Sequence, residues 1–172
     1  MLELVPVLKK DDIEKMVASV AHRISSDYKD RELVLIGVLK GAFVFLSDLA
    51  RHLTIPVKID FVNASSYGSD TTSSGEIHLS REIDIDVKDK DVLIVEDIVD
   101  TGLTLTYLID YLKSLDPRSV KVCALIDKHE RRKTKCNLDY SCHEVDKGFL
   151  VGYGLDYSED YRHLPDIYHL KL

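Results

Sequence analysis

The chain is sparing with cysteine, proline and glycine, and it has no long hydrophobic run. Its 172 residues include 3 cysteines, 4 prolines and 8 glycines. So little glycine and proline excludes collagen-like and low-complexity chains. Cys123, Cys136 and Cys142 form an odd, sparse set, which argues against a disulfide framework and for a reducing cytoplasm. No CxxC or HxxxH spacing accompanies Cys136, Cys142 and His143, so no metal centre is expected among them. The longest clean apolar run, Leu33 to Leu39, falls far short of the roughly 20 residues that span a bilayer. The opening Met1-Leu2-Glu3-Leu4 lacks a basic segment followed by an apolar one, so no signal peptide is expected. Basic residues are outnumbered, 23 against 30 acidic, for a formal net charge of −7. Bulk nucleic-acid binding, which depends on neutralising phosphates, is therefore not expected.

What is present fits one soluble α/β domain over residues 1–172. The composition is 45% hydrophobic and 31% charged, and a chain of this length should bury about 70% of its unfolded surface without a staple. Asp11 and Asp12 supply a capping-type carboxylate ahead of Ile13, Met16, Val17, Val20 and Ile24 at helical spacing. Glu32 to Leu39 reads as a strand covered on both faces, and Ala42, Phe45, Leu46, Leu49 and Leu53 as a helix. Strands are expected over 56–61, 76–83, 91–95, 119–126 and 149–154, with a helix carrying Leu105, Leu108, Ile109 and Leu112. That order is the grammar of a mostly parallel twisted sheet flanked by helices. Ligands in such sheets sit beyond the carboxyl ends of the strands.

The unusual residues lie there. Val92-Leu93-Ile94-Val95 runs into Glu96-Asp97-Ile98-Val99-Asp100-Thr101-Gly102-Leu103-Thr104. Thr101, Gly102 and Thr104 would offer N–H groups and hydroxyls to an anion at a helix start. Glu96 and Asp97 suit a hydroxyl-rich ligand or a hard cation. Adjacent like charges at a strand end need an opposing cation or hydroxyl, so solvated acids on a plain turn explain the string poorly. Neither a Walker loop nor G-x-G-x-x-G is present, which removes the main support for kinase and dinucleotide readings.

This string resembles the phosphoribosyl-diphosphate signature of the type I phosphoribosyltransferases, and the chain's wording is nearest the hypoxanthine-guanine branch. The resemblance covers nearly the whole chain, from the Leu33 strand to Arg162. It implies that fold, with a small hood built from the N-terminal segment and residues about 140–172. Thr101, Gly102, Leu103 and Thr104 would hold the 5′-phosphate, and Glu96 and Asp97 the ribose hydroxyls. Asp100 would be the catalytic proton acceptor beside N7 of the purine. Lys40 and Gly41, with a cis peptide before the lysine, would bind pyrophosphate together with Arg162. Ser66 and Tyr67 would belong to a loop closing over the reaction centre. Lys128 would read the 6-oxo group, Phe149 would stack on the base, and Leu150 would present backbone polar groups. Asp156 would lie near C2 and the metal, which Glu96 and Asp97 would share. The basic run of residues 130–135 reads as a solvated turn. Asp146-Lys147-Gly148-Phe149 is one residue longer than in many relatives, and Leu103 fills a variable slot.

The activity implied is transfer from 5-phosphoribosyl 1-diphosphate to N9 of hypoxanthine or guanine, giving IMP or GMP and pyrophosphate, with Mg2+ as cofactor. A cytoplasmic homodimer or homotetramer, with no nucleic-acid or membrane partner, goes with that reading. Two rivals share the fold: a regulator that senses the sugar diphosphate without turnover, and a transferase for xanthine or a pyrimidine. Intact Asp100 and Lys128 argue against the regulator.

Overall fold

The computed structural model describes residues 2–66 and 76–172. Among them run β1 (Glu3–Leu8), α1 (Lys10–Asp27), β2 (Leu33–Leu39), α2 (Phe43–His52), β3 (Val57–Ser66) and β4 (Ile77–Arg81). There follow β5 (Asp91–Val99), α3 (Leu103–Lys113), β6 (Ser119–Lys128), β7 (Tyr140–Val145), β8 (Leu150–Val151) and β9 (Ile167–Lys171). One sheet has the order β4-β3-β2-β5-β6-β7 and a smaller one the order β1-β9-β8. In the large sheet β3, β2, β5, β6 and β7 are parallel and β4 is an antiparallel edge.

The central strands are hydrophobic on both faces because both are covered. Leu33, Leu35, Leu93, Val95, Cys123 and Leu125 pack with α1 and α2 through Ile13, Val17, Ile24, Phe45 and Leu49. Val34, Ile36, Val92, Ile94, Val122 and Ala124 pack on the other face with Leu105, Leu108 and Leu112 of α3. The small sheet joins the first of these layers through Leu8, Leu150 and Ile167.

Three sequence expectations change. Asp11 and Asp12 lie inside the first turn of α1, and its N-cap Lys9 makes no side-chain cap; the acids favour the helix dipole without capping it. Tyr140–Val145, assigned to the hood, pairs in parallel with β6, so the C-terminal part of the small sheet comes only from residues 150–171. The strand expected over 149–154 is cut to two residues, because Gly152 and Gly154 take positive φ and turn the chain. Ser66 ends β3, but its side chain and Tyr67 lie outside the described residues, as does the rest of the loop to residue 75.

Asp60 fixes both flanks of that segment. Its carboxylate, almost fully buried on β3, accepts the N–H groups of Phe61 (2.8 Å), Asp84 (2.6 Å) and Ile85 (3.0 Å) and faces Arg81 at 3.3 Å. Burial pushes its pKa up, but the backbone donors and Arg81 outweigh burial and hold it below the usual value of 3.8. A group depressed on folding adds stability above its unfolded pKa and loses it as pH falls toward the folded one. Urea unfolding should therefore show a contribution present above about pH 4 that drains away at lower pH. Asp60→Ala should cost roughly 1–3 kcal/mol at pH 7, the usual penalty for stranding donors, and should flatten that acid dependence.

Candidate active site

The carboxyl ends of β2, β5 and β6 open onto two adjoining clefts. The first, of about 330 Å³, is lined by Lys40, Gly41, Glu96, Asp97, Asp100, Thr101, Gly102, Thr104, Asp156 and Arg162, among others. The second, of about 470 Å³, shares Asp97, Asp100 and Asp156 and adds Lys128, Glu130, Arg131, Phe149 and Leu150. Sequence positions from 40 to 162 thus converge on one place. Leu103, from the same string, begins α3 and donates its N–H to the Thr101 hydroxyl at 3.3 Å.

The acidic pair sits on the strand, and not in a turn beyond it. β5 stays paired with β6 as far as Val99 opposite Asp127, so Glu96 and Asp97 remain in the sheet. Both are buried. The Asp97 carboxylate accepts the Ile98 N–H at 2.7 Å, and Glu96 accepts that of Asp97 at 3.2 Å. Burial, then the neighbouring Asp97 charge, pushes the Glu96 carboxyl well above the usual range. Burial raises Asp97 as well, with Arg162 pulling weakly the other way. Gly41 is required beside them: a Cβ there would stand 1.8 Å from Asp97 Oδ2. The preceding Leu39–Lys40 peptide is cis.

The turn after β5 is built on Gly102, which caps α3 at φ 84°, and a Cβ on it would meet Thr134 and Cys136 within 3 Å. Thr101 O accepts N–H groups from Lys133 (2.9 Å) and Thr134 (3.2 Å). Residues 130–135, read from sequence as a solvated turn, therefore buttress this loop. Arg132 does most. It donates to the carbonyls of Val99 (3.1 Å), Asp100 (2.8 Å) and Lys128 (2.9 Å) and pairs with Asp127. One guanidinium thus ties the end of β5 to the end of β6. Arg131 reaches Asp100 Oδ2 from Nε at 3.0 Å and Nη2 at 2.6 Å.

Lys128 is buried, with its ammonium 3.8 Å from Asp100 and 3.6 Å from Glu130. Glu130 also accepts the Gly148 N–H at 3.0 Å, fixing the longer path ahead of Phe149. Phe149 keeps 41% exposure, open to the cleft, and meets Tyr157 edge-on at 5.7 Å. Leu150 pairs with His169 of β9. Across the first cleft, Arg162 contacts Asp156 at 3.2 Å and Glu159 at 3.0 Å, and Lys40 contacts Glu159 at 2.7 Å. Glu130, Arg131, Arg132 and Glu159 escaped sequence reasoning. Their only signal was proximity in sequence to Lys128 and Arg162.

A buried acid pair, an N–H-rich turn at a helix start and cations on the facing wall make a cleft for a ligand with both hydroxyls and phosphates. Comparison with known proteins agrees. The family model described as a phosphoribosyl transferase domain matches residues 7–158, and the chain belongs to the phosphoribosyltransferases. It is 42% identical over 165 residues to the hypoxanthine-guanine phosphoribosyltransferase of Bacillus subtilis, covering 96% of this chain and 92% of that one. The protein of that name from Aquifex aeolicus is 45% identical over 163 residues, covering 94% and 92%. A crystal structure of the Bacillus anthracis hypoxanthine-guanine phosphoribosyltransferase superposes with a TM-score of 0.93 at 38% identity, covering 100% of both chains. The fold is that of the type I phosphoribosyltransferases.

Arg132 generates a test at this level. Lysine keeps the charge but cannot serve three carbonyls and a carboxylate with a rigid fork. Arg132→Lys should lower unfolding free energy by roughly 1–3 kcal/mol, as expected for buried acceptors left unmet. A variant that melts with the unmodified protein would remove Arg132 from this role.

Proposed function

We propose that this chain is a purine-salvage enzyme that transfers the 5-phosphoribosyl group from 5-phosphoribosyl 1-diphosphate to N9 of hypoxanthine or guanine, releasing pyrophosphate and IMP or GMP. One observation carries the purine half of that reading. Asp100 Oδ1 is buried without a hydrogen-bond partner, while its other oxygen lies 3.8 Å from the Lys128 ammonium. An unmet acceptor beside a donor-only cation is the complement of an imidazole N–H next to a 6-oxo group. In this reading Asp100 takes the N7 proton as the base attacks, Lys128 holds O6, and Phe149 stacks on the ring. Leu150 and Asp156 face the opposite edge of the base. The turn from Thr101 to Thr104 cradles the 5′-phosphate, and Glu96 and Asp97 orient the ribose hydroxyls. Lys40, Gly41 and Arg162 take the pyrophosphate. Most of the rate enhancement is then positioning and electrostatics around a cationic sugar.

The donor set of Glu96, Asp97 and Asp156 suits a hard cation. All three offer carboxylate oxygens, and two are buried with no cation in contact. Mg2+ held there would neutralise charge on the diphosphate without proton transfer. The proposal includes the hood, formed by β1, β8 and β9 over the purine cleft within one domain. It includes a cytoplasmic setting and a homodimer or homotetramer too. Among the described residues no helix is long and apolar enough to cross a membrane.

The deciding experiment is nucleotide formation from a panel of bases. Hypoxanthine and guanine should be used well, xanthine poorly, and adenine not detectably, because its 6-amino group would set donor against donor at Lys128. Such a polar mismatch is worth about 10⁴-fold or more. Lys128→Ala should shrink the gap between hypoxanthine and adenine. Comparable kcat/KM for those two bases in the unmodified protein would overturn the purine assignment, and no nucleotide from any base would favour a sensor of the sugar diphosphate.

Metal removal gives a second test. EDTA should abolish turnover and excess Mg2+ should restore it, since among the described residues the first cleft is lined by only two cations, Lys40 and Arg162. Full activity with metal-free reagents would sink the metal role.

A further inference from the structure

Among the described residues Lys40 and Arg162 are the only cations lining the first cleft, and a single carboxylate contacts both. Glu159 Oε2 accepts from Lys40 Nζ at 2.7 Å, and Glu159 Oε1 accepts from Arg162 Nη2 at 3.0 Å. Lys40 lies 119 residues from Glu159 in sequence and Arg162 only 3. The carboxylate therefore ties together two cleft-lining side chains from distant parts of the chain. A tight turn positions it. Tyr157 and Asp160 exchange backbone hydrogen bonds at 3.1 and 3.0 Å, and the Glu159 N–H donates to Asp156 Oδ2 at 2.9 Å. Ser158, Glu159 and Tyr161 have φ of 50°, 70° and 77°, a region L side chains rarely occupy. Arg162 is anchored independently through Nη1 to Gly154 O at 2.7 Å and through Nη2 to Asp156 Oδ1 at 3.2 Å, and among the described residues its Nε has no partner. So the guanidinium stays in place, with a donor to spare, if Glu159 leaves.

A carboxylate with one oxygen on each of two cations reproduces how a bridging diphosphate would use the same donors. Resting on the proposed reaction, we infer that Glu159 is an internal competitor for the pyrophosphate subsite. It occupies Lys40 and Arg162 in the ligand-free protein, yields them to an incoming diphosphate and reclaims them as pyrophosphate departs. Glu159 is 62% exposed on its side chain, so it can swing into solvent without stranding a buried charge. Ordinary carboxylates in solution would compete poorly, but a tethered one acts at high effective concentration. Exposed ion pairs shift an equilibrium a few-fold each, so releasing two should strengthen diphosphate binding by roughly 3- to 30-fold. The opposite role, a spacer that sets Lys40 and Arg162 at the right separation, makes the opposite prediction.

The test is calorimetric titration of inorganic pyrophosphate, at fixed Mg2+, into the unmodified protein and Glu159→Gln. A competitor requires the Kd of the variant to be lower by that factor. An equal or higher Kd, or no pyrophosphate binding to either form, overturns the inference. A crystal structure of the unmodified protein with pyrophosphate answers the same question without a variant: the Glu159 carboxylate must have left both cations, and its persistence on both would refute competition. Assaying IMP formation by the unmodified protein separates the two layers. IMP without tightening in the variant removes only the role of Glu159, whereas no IMP removes the reading on which it rests.

Discussion

Two carboxylates buried side by side at the end of a central strand set the terms for everything around them. Glu96 and Asp97 lie buried in β5 between β2 and β6, and among the described residues no cation is in hydrogen-bond contact with them. Desolvation disfavours their charged forms, and mutual repulsion adds to it for Glu96. The strand meets part of that cost with the Asp97 and Ile98 N–H groups. The chain after β2 comes in so close that only glycine fits beside Asp97. Gly154 in turn packs against the Gly41 carbonyl, where a Cβ would lie 2.3 Å away. Arg162 is aimed from that same Gly154. The cation nearest the acid pair is thus positioned by a stack of close backbone approaches that begins at the acids themselves.

A net acidic chain can hold a polyanion only by concentrating its cations and keeping them from collapsing onto nearby carboxylates irreversibly. The structure handles this differently in the two clefts. In the second cleft Lys128 is buried between Asp100 and Glu130, and Arg132 is largely enclosed by three carbonyls and Asp127. Such charges are costly to uncouple because each would be left in low dielectric. At the first cleft Lys40 and Glu159 are both mostly exposed, and exposed pairs exchange partners at little cost. One cleft thus holds its cations fixed and the other holds them replaceably, and burial makes the difference.

The parts of the site that were legible in sequence are those that sit on regular elements or in short contiguous strings. The run from Glu96 to Thr104 announced itself because three acids after four apolar residues are costly anywhere but at a ligand. The central strands β2, β5 and β6 were legible because coverage on both faces makes them almost uniformly apolar. β1, β7 and β9 were not. Each lies at a sheet edge or in the three-stranded sheet and mixes polar with apolar residues, as Tyr140–Val145 and Ile167–Lys171 do, so no period stands out. The strand expected over 91–95 stops short of Glu96 and Asp97 because acids usually end strands. Here pairing with β6 continues through Val99 and overrides that tendency.

The basic segment is a solvated turn at Glu130, Arg131, Lys133 and Lys135, as its sequence suggests, but not at Arg132, for a topological reason that also explains its role. β6 and β7 are parallel neighbours joined with no helix between them among residues 129–139. A parallel connection must carry the chain back to the start of the next strand. Without a helix to do so on the sheet's face, the first residues after β6 stay at the carboxyl edge, where the turn from Thr101 to Thr104 already projects. There the Arg132 guanidinium meets the carbonyls of Val99 and Asp100, and the Lys133 and Thr134 N–H groups meet that of Thr101. Sequence alone sees four basic residues within 130–135 and assigns them to water. The fold instead places Arg132 on three main-chain carbonyls at once, and so ties the end of β5 and Asp100 just beyond it to the end of β6 at Lys128. Lys40 and Arg162, by contrast, meet at Glu159, 119 residues from Lys40.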